Sequence, residues 1–136
     1  MIVADASLVL AWLLEEPEHA PVGDAFDSLA VQPLVVPANW SAEIANGLRK
    51  AYRTGRLDRD DIVRLVDRLA VLDVQVAPPA RASEIAALTM FAIDSSLSAY
   101  DAGYVRLALA RQVSLATLDQ SMRAAARRAN VPLIPA

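Results

Sequence analysis

The sequence predicts a three-layer α/β fold in which a mainly parallel central sheet is flanked by helices. Short aliphatic and β-branched runs alternate along the chain with longer segments of helical period. Strands separated by whole helices cannot pair as hairpins, so they must pair in parallel through right-handed crossovers. At 136 residues, of which 55% are hydrophobic, the chain has the size of one domain and can bury about two-thirds of its unfolded surface. A single domain over residues 1–136 is expected, with no repeat, low-complexity tract or linker dividing it.

Ile2-Val3-Ala4 reads as the first strand, followed by a helix through Leu8, Trp12 and Leu13. Residues 17–30 read as a helix, with Phe26 and Leu29 three apart, and Leu34-Val35-Val36 as a strand between two prolines. A long helix is expected over residues 39–53, ended near Gly55; its apolar stripe is Trp40, Ile44, Leu48 and Ala51 or Tyr52. The next spans 58–72, with Asp58 as N-cap and Ile62, Leu65, Val66 and Leu69 on one face. Val74-Gln75-Val76 is a strand ahead of Pro78-Pro79, and helices follow over 80–91 and 98–111. Leu115-Ala116-Thr117 is a strand, 119–129 a helix and 131–134 a last short strand.

Composition narrows the chemistry. With no Cys, disulfide frameworks and thiolate zinc sites are excluded. His19 is the only His and has no surroundings that suggest a catalytic base, which argues against a Ser-His-Asp triad. Any metal would therefore be held by oxygen ligands, meaning carboxylates with Mg²⁺, Mn²⁺ or Ca²⁺. A mean hydropathy of +0.32 is far from the disordered regime. No apolar run approaches the roughly 20 residues of a membrane span, and the start lacks the pattern of a secretory signal. A cytoplasmic protein without membrane attachment is expected. The net charge of −3 taken alone disfavours a nucleic-acid partner.

Four carboxylates alter that reading. Asp5 follows the first strand and Asp119 follows Leu115-Ala116-Thr117-Leu118, where an open α/β sheet places its ligands; each is also a natural N-cap for the helix after it. Glu43 lies one turn from Trp40, on the flank of its helix's apolar stripe. Asp101 falls within the stripe Leu97, Asp101, Val105, Ala108 and Leu109, with Tyr104 beside it, and should face the core. A buried carboxylate must be protonated, paired with a cation such as a neighbouring Arg, or bound to a metal. Several carboxylates converging on one point make sense around a divalent cation that orients a phosphodiester and activates water. With these four acids set aside, the rest of the chain is slightly basic. Arg49, Lys50, Arg53, Arg56 and Arg59 form one basic run and Arg123, Arg127 and Arg128 another, each either a solvated helix end or a phosphate contact.

The segments that carry these acids resemble the PIN-domain family, most closely the VapC-type toxins of bacterial toxin–antitoxin pairs. The matching stretches are Val3-Ala4-Asp5-Ala6-Ser7, Ser41-Ala42-Glu43-Ile44-Ala45-Asn46, Ser98-Ala99-Tyr100-Asp101-Ala102 and Leu115-Ala116-Thr117-Leu118-Asp119. In this order they span the chain. The resemblance implies a PIN fold and a Mg²⁺- or Mn²⁺-dependent endoribonuclease with Asp5, Glu43, Asp101 and Asp119 as catalytic, metal-binding acids. It implies that Thr117, and by extension Ser7, support the waters of the metal site. It also implies a homodimer, an RNA substrate and a small VapB-like antitoxin as partner. Arg49, Lys50 and Arg53 are the candidate RNA contacts. Trp12, Trp40, Leu8, Leu13, Leu14, Phe26 and Leu29 are either core or, in part, the lining of a groove for an antitoxin helix.

The rival readings are an inactive binding module of the same fold and a related DNA nuclease, since carboxylates and metal do not sense the 2′-hydroxyl. A receiver domain would need a Lys after the last strand, where only Pro135-Ala136 follows, and an Asp-x-Asp phosphatase would need an acid at Ser7.

Overall fold

The computed structural model describes residues 1–15 and 23–136. The first strand, β1 (Ile2–Ala4), leads into α1 (Ala6–Leu13), and α2 (Gly23–Val31) leads into β2 (Leu34–Val36). Helices α3 (Trp40–Arg53) and α4 (Arg59–Leu69) precede β3 (Val74–Val76). A 3-10 turn at Ala82–Glu84 opens into α5 (Ile85–Ser95), followed by α6 (Ala99–Arg111), β4 (Ser114–Ala116), α7 (Gln120–Arg128) and β5 (Leu133–Ile134). The expected helix over 17–30 is described from Gly23 onward; its earlier part and His19 lie outside the described residues.

The strands form one sheet of order β3-β2-β1-β4-β5, parallel at every pairing. Val3 of β1 faces Val35 on one side and Leu115 on the other. β1 and β2 are buried at every residue, which is why Ile-Val-Ala and Leu-Val-Val show no polar alternation: both faces of a parallel sheet are covered. From β1 the chain first builds outward through β2 and β3, then returns to build β4 and β5 on the other side. That reversal places a topological switch point at the carboxyl ends of β1 and β4, where open α/β sheets bind ligands.

Local signals set the helix starts. Asp5, Ser98 and Asp119 cap α1, α6 and α7 through their side chains, and Asp58 forms a reciprocal capping box with Asp61 at α4. Ser96 and Gln112 take left-handed conformations that close α5 and α6.

The expected boundaries need several corrections. The helix expected over 80–91 begins later, because residues 82–84 form the 3-10 turn, and it continues to the left-handed cap at Ser96. β4 ends before Thr117, whose carbonyl accepts from the Arg123 guanidinium at 3.0 Å. Val131 closes α7 by donating to the Ala126 carbonyl, which shortens the last strand to Leu133–Ile134. On α3 the buried position is Ala51, with Tyr52 exposed. Val66 of α4 and Leu109 of α6 also face solvent. Leu8, Leu13, Leu29 and Trp40 are core, leaving Trp12, Leu14 and Phe26 half-buried at its margin.

Leu115 is fully buried in β4, between β1 and β5. Leu115→Ala should cost about 3 kcal/mol, the usual result of emptying a core leucine site. Urea unfolding of the two proteins, compared by midpoint at equal slope, measures it.

Candidate active site

Asp5 anchors the site. It stands at the carboxyl end of β1, only 2% exposed, with its amide donating to the Ala116 carbonyl of β4 at 3.0 Å. Its Oδ2 accepts from the Ser7 hydroxyl at 2.5 Å and from the Thr117 hydroxyl at 3.0 Å, while Oδ1 accepts the Ser7 amide at 3.3 Å. Thr117 is itself fully buried, and its Oγ1 also accepts from the Asp119 amide at 3.0 Å. One hydroxyl thus links two of the four acids. Asp119 is exposed and caps α7 by accepting the Met122 amide at 2.7 Å.

Glu43 and Asp101 are half-buried. For Asp101 this corrects the expectation of a core-facing position: Tyr104, fully buried, fills the centre of that face, and Asp101 sits at its margin. Glu43 Oε1 accepts from the Tyr104 hydroxyl at 3.2 Å and from the Asn39 amide one turn earlier. The Asp101 amide donates to the capping Ser98 hydroxyl at 3.1 Å. The acids therefore grade from buried Asp5, through Glu43 and Asp101, to exposed Asp119.

Burial and neighbouring acids raise three of these carboxyls. Burial pushes the Asp5 carboxyl above the usual aspartate range, against the lowering effect of Ser7 and Thr117, and the Asp119 charge pushes it further. Burial also raises Glu43, with Asp5 and Asp101 adding to the shift and Asn39 and Tyr104 opposing it. Asp101 is raised by burial and then by Asp119 and Asp5. The charges perturbing Asp101 are carboxylates, not the Arg that a structural ion pair would supply. Burial, with Glu43 and Asp5 nearby, pushes the Tyr104 hydroxyl far above its ordinary value, so it stays a donor.

Among the described residues no three carboxylates are grouped closely enough to cage an ion, which corrects the expectation that they converge on one point. The donor set still suits Mg²⁺ or Mn²⁺. Mg²⁺ usually takes one or two carboxylates and fills its remaining positions with water and substrate phosphate. Asp5, Glu43, Asp101 and Asp119 are the available donors, and Ser7 and Thr117 fix the first of them.

Three residues at this site escaped the sequence reading as participants. Asn39 stands four residues before Glu43, a helical spacing that could have exposed it. Tyr104 was visible only as a neighbour of the Asp101 stripe. The sequence groups Arg123 with the basic run of α7, yet it is 6% exposed. Its guanidinium donates to the carbonyls of Thr117, Pro135 and Ala136 at 3.0, 2.8 and 3.3 Å, tying the last residues to the β4–α7 junction. Arg49, Lys50 and Arg53 lie exposed on α3.

The PIN-domain family model matches residues 2–128, which span all four acids. The chain belongs to the PIN-domain family. Within that family it is similar to VapC ribonuclease Mb0985 of Mycobacterium bovis and to ribonuclease VapC9 of Mycobacterium tuberculosis. Each is 38% identical over 119 residues, covering 88% of this chain and 86% of the relative. Among solved structures, the fold is similar to PAE2754 from Pyrobaculum aerophilum, with TM-score 0.68, 21% identity and coverage of 98% of this chain and 83% of that one. It is likewise similar to FitAcB from Neisseria gonorrhoeae, with TM-score 0.67, 20% identity and coverage of 98% and 96%. The expected PIN fold, with its parallel sheet and flanking helices, is the fold observed.

The raised carboxyls set the sign of the pH dependence of this PIN domain. A carboxyl that holds its proton more tightly folded than unfolded contributes most stability at low pH, and that contribution is lost as pH rises through its folded value. Asp61 works the other way, held low first by accepting the Asp58 amide, but its effect falls near and below the ordinary aspartate value of about 4. Without divalent cations, the urea midpoint should therefore be higher at about pH 5 than at about pH 7. Asp101→Asn should flatten that difference.

Proposed function

We propose that this chain is a metal-dependent endoribonuclease and the toxin of a type II toxin–antitoxin pair. The observation that carries the reading is the set of neighbouring carboxylates about the end of β1: Asp5, Glu43 and Asp101 are raised by burial and then by the charges of neighbouring acids, with the Asp119 charge acting on Asp5 and Asp101. The relatives named as VapC ribonucleases point the same way.

Mg²⁺ or Mn²⁺ bound by these acids would lower the pKa of a water and neutralise charge on the phosphodiester. The chain's own residues prepare that chemistry. Ser7 and Thr117 hold the Asp5 carboxylate in one orientation. Asn39 and Tyr104 occupy Glu43 Oε1 and so fix how Glu43 is presented. Asp119, at the start of α7, is the exposed acid of the four. Without their cation, these acids repel a phosphate, so substrate binding and metal binding are coupled.

The partners follow from the same reading. RNA is the substrate, with the basic run that includes Arg49, Lys50 and Arg53 as its contact. A small antitoxin inserts a helix against the half-buried Trp12, Leu14 and Phe26. The active form is a cytoplasmic homodimer of single-domain chains; among the described residues no helix is long and apolar enough to cross a membrane.

Purified protein should cut RNA with Mg²⁺ or Mn²⁺ and stop in EDTA. Water attack leaves a 5′-phosphate and a 3′-hydroxyl, because the 2′-hydroxyl is not the nucleophile. Cyclic 2′,3′-phosphate ends or undiminished cleavage in EDTA would refute the mechanism, and equal cleavage of single-stranded DNA would remove the restriction to RNA.

Expression alone should arrest growth, and co-expression with the neighbouring antitoxin gene should restore it. Harmless expression of folded, active protein would contradict the toxin assignment.

A further inference from the structure

A cleft of about 410 Å³ lies beyond the carboxyl ends of β2 and β3, the side of an open α/β sheet that takes ligands. Residues 37–39 and 77–80, which follow those strands, border it together with Leu88 of α5 and Gly103, Arg106 and Leu107 of α6. It shares Asn39 with the acid site, where that side chain donates to Glu43 Oε1. Its volume falls in the roughly 300–1,000 Å³ range of ligand sites, and its mostly apolar lining with a few polar groups is their usual composition.

Gly103 keeps this cleft open. It sits in the interior of α6, where glycine weakens a helix relative to alanine. Packing does not require it, because a Cβ there would meet nothing within 4 Å. Gly47 is the opposite case: a Cβ on it would lie 2.3 Å from Leu10 Cδ1, so its absence lets α3 pack on α1. A side chain at position 103 would narrow only the cleft.

The lining favours a base over a phosphate. Pro78, Pro79, Leu88 and Leu107 offer apolar surface to a flat ring, and the prolines stiffen their own backbone. Three polar side chains join them: Asn39, Glu84 and Arg106. Glu84 and Arg106 have no ion-pair partner among the described residues. Asn39 gives one N–H to Glu43, which leaves its amide oxygen and a second N–H for a ligand. Arginine, asparagine and glutamate all hydrogen-bond base edges, whereas the Glu84 carboxylate repels a phosphate.

We infer that this cleft receives one unstacked base of the RNA strand, beside the phosphodiester that is cut. Proteins read RNA sequence chiefly on such splayed-out bases of single strands. The inference rests on the nuclease reading for the identity of the strand. It adds a place where sequence is read, distinct from the basic run of α3, since contacts to phosphates carry no sequence information.

The test has two arms. In the first, a random-sequence single-stranded RNA pool is cut with Mn²⁺ and the new ends are sequenced. Wild type should favour one base at one position beside the cut by at least about fivefold, the low end of base-edge discrimination. Gly103→Leu fills the cleft and should bring that preference below about twofold. Its urea midpoint should stay at or above wild type, since leucine suits a helix better than glycine. Arg106→Ala should weaken the preference at the same position, and Arg111→Ala, which does not line the cleft, should keep it. The second arm needs no cleavage: an RNA oligonucleotide and an abasic strand of equal length are bound in EDTA at low salt. Wild type should bind the RNA at least about fivefold more tightly, the low end for one stacked base, and Gly103→Leu should largely lose that ratio. Cutting by wild type without base preference would overturn the cleft assignment. So would a folded Gly103→Leu, or an Arg106→Ala, with wild-type preference. Wild type that never cuts yet shows the binding ratio, lost in Gly103→Leu, would overturn the nuclease reading and leave the cleft as a base site.

Discussion

The constraint on which the site depends is repulsion among carboxylates that the fold holds together. Asp5 cannot retreat: it is buried at the end of the central strand, its amide pairs with β4, and its carboxylate accepts from two hydroxyls. Glu43, Asp101 and Asp119 are brought within its field by three different helix starts. Like charges in one another's field repel, and more strongly where water is excluded. Burial first, and then that repulsion, raises Asp5, Glu43 and Asp101. Such an arrangement has a use when a cation offsets it, and stability given up at a functional site is a familiar exchange for activity.

The scaffold that imposes this closeness is assembled from ordinary parts. The parallel sheet reverses its winding direction between β1 and β4, so the two strand ends that carry Asp5 and Thr117 lie side by side. Thr117 then joins Asp5 to the start of α7. Behind it, Arg123 satisfies the Thr117 carbonyl and draws in the carbonyls of Pro135 and Ala136. Burial lowers the proton affinity of that guanidinium, as does nearby Arg127. An arginine remains charged in proteins, and these backbone oxygens compensate that charge. Tyr104 plays the corresponding part for Glu43 from the core of α6.

Much of this was legible in the residues, and the exceptions share a cause. Uninterrupted apolar triplets such as Ile2-Val3-Ala4 announce buried parallel strands, and Asp5, Asp58 and Asp119 announce helix starts by capping. Asp5 and Asp119 could be placed because strand ends are predictable in this fold class. Asp101 was placed too deep, because its apolar stripe could not show that Tyr104 would fill the core and leave the acid at the edge. Arg123 looks like part of a charged helix end, because its partners are backbone oxygens of residues 117, 135 and 136, which carry no mark in a sequence. Contacts to side chains at helical spacing, such as Asn39 with Glu43, can be read. Contacts to distant backbone cannot.

Acids kept near one another for a cation and acids kept there for the fold respond oppositely to the loss of one charge. Thermal and urea unfolding of wild type and Asp101→Asn would be followed with and without Mn²⁺. The account predicts that Mn²⁺ stabilises wild type, that the variant is at least as stable as wild type without metal, and that its Mn²⁺ shift is lost. A metal-free variant destabilised by about 3–5 kcal/mol, the cost of stranding a buried partner charge, with its Mn²⁺ shift intact, would contradict it.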